Sequence, residues 1–315
     1  MHAHLPAPAV TLATLTGPLT VGPPRRVGQL TLVPILGPTR APLYRTLSEV
    51  LEHGGVLRER PSPDVNCLLL DAPPGPPVLL YAGEEVVGAK QNRVLNVTWL
   101  VAGDATHEVP VSCIERGRWT HGAERDGRFA SSPQVAYTGL RRHMDAMSSS
   151  SVRAADRRSA IDQCAVWQDV EHRSRVLEVR SRTGAMTDAF EARRESVEAI
   201  ASQSAVTSGQ RGLLAWIGDR FLALDLVSSE AAWARMHDRI VRGHALEALA
   251  SAPIARPSPD AAAVLEALLA APVSLAPAEA GLGEAVSAQL VEPPIAVNGL
   301  ALDGELVQLS AFERS

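Results

Sequence analysis

The stretch Gly83-Glu-Glu-Val-Val-Gly-Ala-Lys-Gln-Asn-Arg93 runs straight into Val94-Leu-Asn-Val-Thr-Trp-Leu-Val101. After a turn the chain returns as Val109-Pro-Val-Ser-Cys-Ile-Glu-Arg-Gly-Arg-Trp119. Leu95, Val97, Trp99 and Val101 share one side and Asn96 and Thr98 the other, the period-2 alternation of a half-buried strand. Gly103-Asp104 supplies a turn, and Glu108 to Ile114 is expected to return as the antiparallel partner. That pairing brings Arg93 to Asn96 and Ser112 to Glu115 to the same end of a ladder.

Working outward, the flanks also read as β-structure. Val27 to Leu36, Cys67 to Asp71 and Val78 to Tyr81 are short apolar runs bounded by Gly or Pro. One short helix interrupts them, with Thr46 and Glu49 as a capping box and Gly54-Gly55 as its stop. From about residue 131 the pattern changes. Helical sequence is expected within Val135 to Ile161, broken by the Ser148 to Ser151 run, and again from Asp188 to Ala201. Leu213 to Ile217 and Phe221 to Val227 flank a Gly218-Asp219 hairpin turn. Ser228 or Ser229 caps a helix to about Ala250, with Trp233, Met236, Ile240 and Leu249 on one stripe. Ser258-Pro259 opens another helix that Pro272 ends, and Asn298-Gly299 and Asp303-Gly304 read as closing turns before Leu306 to Leu309. Strands are grouped, so the fold class is α+β: a flexible tail over 1–24, then one domain, β-rich over 25–130 and mixed over 131–315.

Composition bounds the function. The 315 residues are 46% apolar and only 4% aromatic, with net charge -5 and mean hydropathy near zero. Three unpaired cysteines, no signal-peptide n-region and no apolar run of about 18 residues lead us to expect a cytoplasmic protein without a membrane span. The charge is uneven: nine Arg against four acids from Arg116 to Arg158, then nine acids against two Arg from Glu247 onward. No aromatic residues interleave the basic segment as base stacking requires, so nucleic acid is not an expected partner.

Of the 30 basic residues one is lysine, Lys90, and two of the four asparagines, Asn92 and Asn96, lie within seven residues of it. Arginine does not replace a compact ammonium, and Asn offers a donor and an acceptor on a short stem. Lys90, Gln91, Asn92, Arg93, Asn96, Arg118 and Trp119 are therefore the candidate ligand-binding residues. Glu85 and Glu115 are a candidate acid/base pair, or ion-pair partners for Lys90 and Arg93. Cys113 is a candidate nucleophile if it sits at a strand end near Arg116, Arg118 and His121, or else a buried structural thiol. Gly83 to Lys90 is not a phosphate loop, since Ala89 separates the second Gly from the Lys and Gln91 follows. No Gly-x-Ser-x-Gly is present, and the scattered histidines offer no metal spacing.

Gly88 to Asn96 and Val109 to Trp119 resemble the signatures of a bacterial family named for its association with ADP-ribosylglycohydrolases and rhodanese-like phosphatases. The likeness continues at Thr183 to Asp188, Leu222 to Leu226, His244 to Leu249 and Leu309 to Phe312, and departs at Arg116, where Gln is expected. It implies a place in NAD or ADP-ribose metabolism. The expected ligand is an ADP-ribose-like nucleotide, with no cofactor, no metal, homo-oligomerisation left open and turnover undecided. Lys90, Arg93 and Arg118 would meet the diphosphate, and Gln91, Asn92 and Asn96 the ribose or base. The alternatives are a hydrolase or transferase using Cys113, and a non-catalytic assembly protein in which the motif buttresses a hairpin.

Overall fold

The computed structural model of the protein describes residues 10–40, 42–118, 127–150, 161–254 and 260–314. In chain order, α1 (Leu12–Thr16), β1 (Thr20–Val21), β2 (Arg25–Val27), β3 (Leu30–Leu36), β4 (Arg45–Thr46) and α2 (Leu47–Glu52) come first. Then come β5 (Val56–Asp64), β6 (Cys67–Ala72), β7 (Val78–Leu80), β8 (Glu84–Gly88), β9 (Arg93–Leu95), β10 (Trp99–Val101), β11 (Ala105–Cys113) and β12 (Arg128–Val135). The middle holds α3 (Thr138–Ser150), α4 (Gln163–Val176), α5 (Met186–Ala192) and α6 (Arg194–Ala201). The hairpin β13 (Gln210–Ile217) and β14 (Arg220–Val227) leads to α7 (Glu230–Ala250) and α8 (Ala261–Ala270). The strands β15 (Ser274–Pro277), β16 (Glu284–Leu290), β17 (Ile295–Leu302) and β18 (Glu305–Glu313) close the chain. The class is α+β, as expected.

Six strands close a barrel in the order β11-β6-β5-β12-β8-β9, filled by Leu57, Leu68, Leu70, Val86, Leu95, Val109 and Val111. A nine-stranded sheet runs β1-β3-β13-β14-β18-β17-β16-β15 with β2 added on β3, and β10-β7-β4 form a separate three-stranded sheet. In the nine-stranded sheet β13 is buried on both faces, and alternation sorts the side chains: Leu213, Ala215 and Ile217 face the core under α3 to α7, while Leu214 and Trp216 face the core under α1 and α8. Helix α7 begins where Ser229 accepts from Ala232 N–H, and it packs across β12, β13 and β14, so it ties barrel to sheet.

Several local expectations are corrected. The run Leu95 to Val101 is two strands in two sheets: β9 pairs with β11 and β8 in the barrel, whereas β10 pairs with β7. Asn96 and Thr98 break it, because Asn96 N–H bonds Pro110 O and the Thr98 hydroxyl accepts from Ala82 N–H. The expected tail is packed from residue 10 onward: Leu12 and Leu15 are buried against α8, as the apolar spacing of a single helical turn allows. Asp188 to Ala201 is two helices broken at Arg193, and Leu249 points outward. Asn298-Gly299 is no turn; Gly299 pairs with Leu309 inside β17–β18, and Asp303-Gly304 alone turns the hairpin. Ser258-Pro259 lies outside the described residues.

Candidate functional site

The barrel end formed by β8, β9 and β11 gathers the polar residues of the Gly83–Trp119 stretch. Register sets this up, with Cys113 opposite Arg93 and Val94 opposite Glu85. The loop that follows β8 enters through Gly88, where a Cβ would lie 2.3 Å from Arg128 O. It then crosses Ala89 at φ +41° and presents residues 90–92 at the rim.

Asn92 is the hub. Its N–H donates to Glu115 Oε2 (3.1 Å), its Nδ2 donates to Thr187 Oγ1 (3.1 Å), and its Oδ1 accepts from Arg118 Nη2 (3.1 Å). Arg118 binds Glu115 with two nitrogens, Nε to Oε1 at 2.8 Å and Nη2 to Oε2 at 2.6 Å, and gives Nη1 to Ala89 O (2.8 Å). Such a fork fixes both groups in one plane. Thr187 passes its own proton to Glu85 Oε1 (2.7 Å), whose Oε2 accepts from Ser132 (2.6 Å) and Gln134 (2.5 Å). Burial pushes the Glu85 carboxyl up, against these three donors, which favour its charged form.

The 181–188 segment, which leads into α5, joins this assembly by docking its backbone. Glu115 bridges Ala185, Gly117 N–H donates to Thr183 O (2.6 Å), and Met186 N–H donates to Ile114 O (2.9 Å). Three stretches distant in sequence thus meet at one rim, where Lys90, Asn92, Arg118, Thr183 and Thr187 are half-buried and Arg116 and Arg182 are exposed.

The remaining candidates are placed differently. Arg93 is 1% exposed, turned under the loop with Nη1 on Gln91 O, Gln91 Oε1 and Asn92 O, and its desolvated guanidinium is lowered in pKa. Gln91 is buried too and gives Nε2 to Glu115 O (2.8 Å). The Cys113 thiol is 0% exposed and lies 3.5 Å from both the N and O of Glu115. Gln163 at the start of α4 clamps Cys113 from its other side, accepting from its N–H and donating to its carbonyl. Asn96 is buried with no side-chain bond to this group. Lys90 reaches Glu59 through its backbone N–H (3.3 Å), and Trp119 lies outside the described residues. No three His, Cys, Asp or Glu side chains meet as metal ligands among the described residues.

With the geometry in place, comparison with known families decides the relationship. The model of the ARG and Rhodanese-Phosphatase-superfamily-associated Protein domain matches residues 18–312. The chain belongs to that family. No curated protein and no solved structure matches the chain.

The stretches that carry the likeness to this ARG- and rhodanese-phosphatase-associated family fall into two spatial groups. Gly88–Asn96, Val109–Glu115 and Thr183–Asp188 build the rim. Leu222–Leu226, His244–Leu249 and Leu309–Phe312 supply Asp225, His244, Ser310 and Phe312 to a second cluster, sealed between barrel and sheet. There Arg141 of α3 donates Nη2 (2.6 Å) and Nη1 (3.2 Å) to Asp225, and Tyr81 Oη also donates to Asp225. His244 Nε2 donates to Asp225 Oδ2 (3.1 Å), which in a neutral ring leaves Nδ1 to accept from Thr138 (2.7 Å). Arg141 also lies over the Tyr81 and Phe312 rings. Burial alone would raise the Asp225 carboxyl; the Arg141 charge and the His244 and Arg141 bonds outweigh it and hold it well below the usual range. Sequence reading missed this cluster. Its one signal was Asp225, a lone carboxylate inside the apolar run Phe221 to Val227.

Proposed function

We propose that the rim binds an ADP-ribose-like nucleotide, with Lys90 and Arg118 toward the diphosphate and Asn92 and Thr187 toward ribose hydroxyls. The observation that supports this is the convergence of three separate segments on Asn92, next to the Glu115–Arg118 fork and Lys90 at a half-exposed surface. A planar guanidinium matches phosphate oxygens as well as it matches the Glu115 carboxylate, which Arg118 would exchange for the diphosphate, and the buried carboxylates behind it suit hydroxyl donors. Gln91, Arg93 and Asn96 act from beneath, since they are buried: the first two hold the loop and its carbonyls in shape. The family's association with ADP-ribosylglycohydrolases agrees with this ligand class.

Calorimetric titration with ADP-ribose and with NAD tests the reading. Binding is expected in the parent protein and at least a tenfold weaker interaction in Lys90→Ala, with flat titrations for both nucleotides overturning it. A second reading has its own support, because the Asn92 N–H, Nδ2 and Oδ1 tie Glu115, Thr187 and Arg118 together: here the motif buttresses the barrel end. Lys90→Ala would then change stability or oligomeric state with no ligand effect. A thiol nucleophile at Cys113 has the weakest support, since the sulfur is enclosed by Glu115 and the Gln163 clamp.

A further inference from the structure

Helix α4 has its first residue at the rim, where Gln163 holds Cys113, and its last turn at a separate cleft. Ten residues of helix from Gln163 to Arg173 put roughly 15 Å between the two. The cleft, about 290 Å³, opens between α4, the end of α7 and the start of β14. That volume is near the lower end for small-molecule sites.

Its floor is built and polar. Glu247 Oε2 takes Gly139 N–H (2.7 Å) and Arg173 Nη2 (2.8 Å), and Oε1 has no hydrogen bond among the described residues. Arg173 is held flat over the Tyr137 ring, 4.4 Å from its centroid, which prevents it from turning away. Arg220 faces the same space with Nη2 on Ser251 Oγ (3.1 Å), and it forms no ion pair among the described residues. The exposed His172 ring lies at the mouth, and Val176, Ala250 and Ile254 form an apolar side. The negative end of α7 is muted there, since Gln29 Nε2 covers Ala248 O and Ser251 O while Ser251 Oγ covers Glu247 O.

Among the lining residues one carboxylate is matched by one guanidinium, and the second guanidinium, Arg220, feels Glu313 only through charge, with no direct ion pair among the described residues. A ligand that completes this set carries an anionic group for Arg220 and His172, a hydroxyl to donate to Glu247 Oε1, and a compact carbon body against the apolar side. We infer that the cleft is a second binding site, separate from the rim, for a small sugar phosphate. Neither the ammonium nor the amides of the rim take part in it.

Ribose 5-phosphate is the probe, titrated calorimetrically into the full-length protein, with inorganic phosphate and free ribose as the comparison arms. Ribose 5-phosphate is expected to bind, both comparison arms at least tenfold more weakly. Arg220→Gln, at a half-buried position whose one side-chain hydrogen bond among the described residues is to the Ser251 hydroxyl, is expected to fold normally and lose at least tenfold in affinity. Lys90→Ala is expected to leave this binding unchanged, so failure here and failure at the rim give different results. No heat with ribose 5-phosphate, inorganic phosphate binding as tightly as the ester, equal affinity in Arg220→Gln, or loss in Lys90→Ala would each overturn the assignment.

Discussion

Replacing Asp225 by Asn removes one charge and almost no volume, and its cost is set by what is left behind. Arg141 is 4% exposed, and its carboxylate partner is its only ion pair among the described residues. Asn keeps one acceptor oxygen but turns a donor toward Tyr81, Arg141 or His244, all of which donate at this point. Removing one member of a buried pair costs about 3–5 kcal/mol, because the other charge stays in low dielectric. Against a total stability of about 5–15 kcal/mol this is about a fifth or more. Equilibrium urea unfolding followed through the buried Trp216 and Trp233 reads it directly, as a lowered midpoint at unchanged slope. The double variant Arg141→Met/Asp225→Asn should recover part of the loss, because neither side is then charged. The pH dependence has a fixed sign. A carboxyl held below its unfolded value, about 3.9, contributes stability above that pH and loses it as pH falls further. Parent stability should therefore drop into acid more steeply than that of Asp225→Asn. A loss below about 1 kcal/mol at neutral pH, far under the range for buried pairs, would refute the reasoning.

Asp145, which accepts both its bonds from Asn298 Nδ2 at 2.9 Å, has the opposite sign: burial lifts its carboxyl to about 6, against the Asn298 bond and the Arg141 charge. A raised acid costs stability as pH climbs from about 4 to about 6, so Asp145→Asn should melt higher than the parent at pH 7 and about equally at pH 4; identical differences at both pH values would exclude the assignment. For the thiols, native-state alkylation read by peptide mass should label the exposed Cys164 first and Cys113 only on unfolding. Rapid native labelling of Cys113 would mean that the barrel end is open.

Local signals in the sequence were sound where one residue decides the outcome. Thr46 does accept from Glu49 N–H, Ser229 does start α7, and Gly218 at φ +59° does turn the β13–β14 hairpin. Alternation was less informative. It predicts one buried side over Leu95 to Val101, yet β9 and β10 are buried on both faces, with Leu95, Trp99 and Val101 in the barrel core and Val94 and Leu100 in the core under the helices, and it is silent on the change of partner at Asn96 to Thr98. Asn298-Gly299 has turn chemistry, yet β16 and β18 pair it on both sides and the ladder prevails. The rarity of Lys and Asn pointed to the rim, because those residues lie close in sequence. Thr187, Ser132 and Gln134, which complete the Glu85 carboxylate, carry no such mark. The Tyr81, Arg141, Asp225, His244 and Ser310 group is assembled from α3, β14, α7, β18 and the turn after β7, and only the long-range topology brings them together.

The two clusters are joined by short pieces of backbone, Tyr81 to Glu85 and Ser132 to Arg141, and this argues that they are one design. Tyr81 belongs to the sealed cluster, Glu85 to the rim, and between them the chain makes a tight turn with Glu84 N–H on Tyr81 O (3.0 Å) and Tyr81 N–H on Glu84 Oε2 (3.2 Å). Glu84 is itself paired with Arg239 of α7 at 2.5 Å. Gly83 at the turn has φ +91°, and a Cβ there would stand 2.7 Å from Arg141 Cγ, so the absence of a side chain is what lets Arg141 pass to Asp225. Movement of Arg141 would therefore press on the turn that sets the height of β8, and with it Glu85, Thr187 and Asn92. The sealed cluster holds the angle between helix, sheet and barrel, and the rim inherits its geometry from that angle. On this account the buried charges are kept because four elements must meet in one orientation, a task that an apolar core of the same volume would perform with less directional preference.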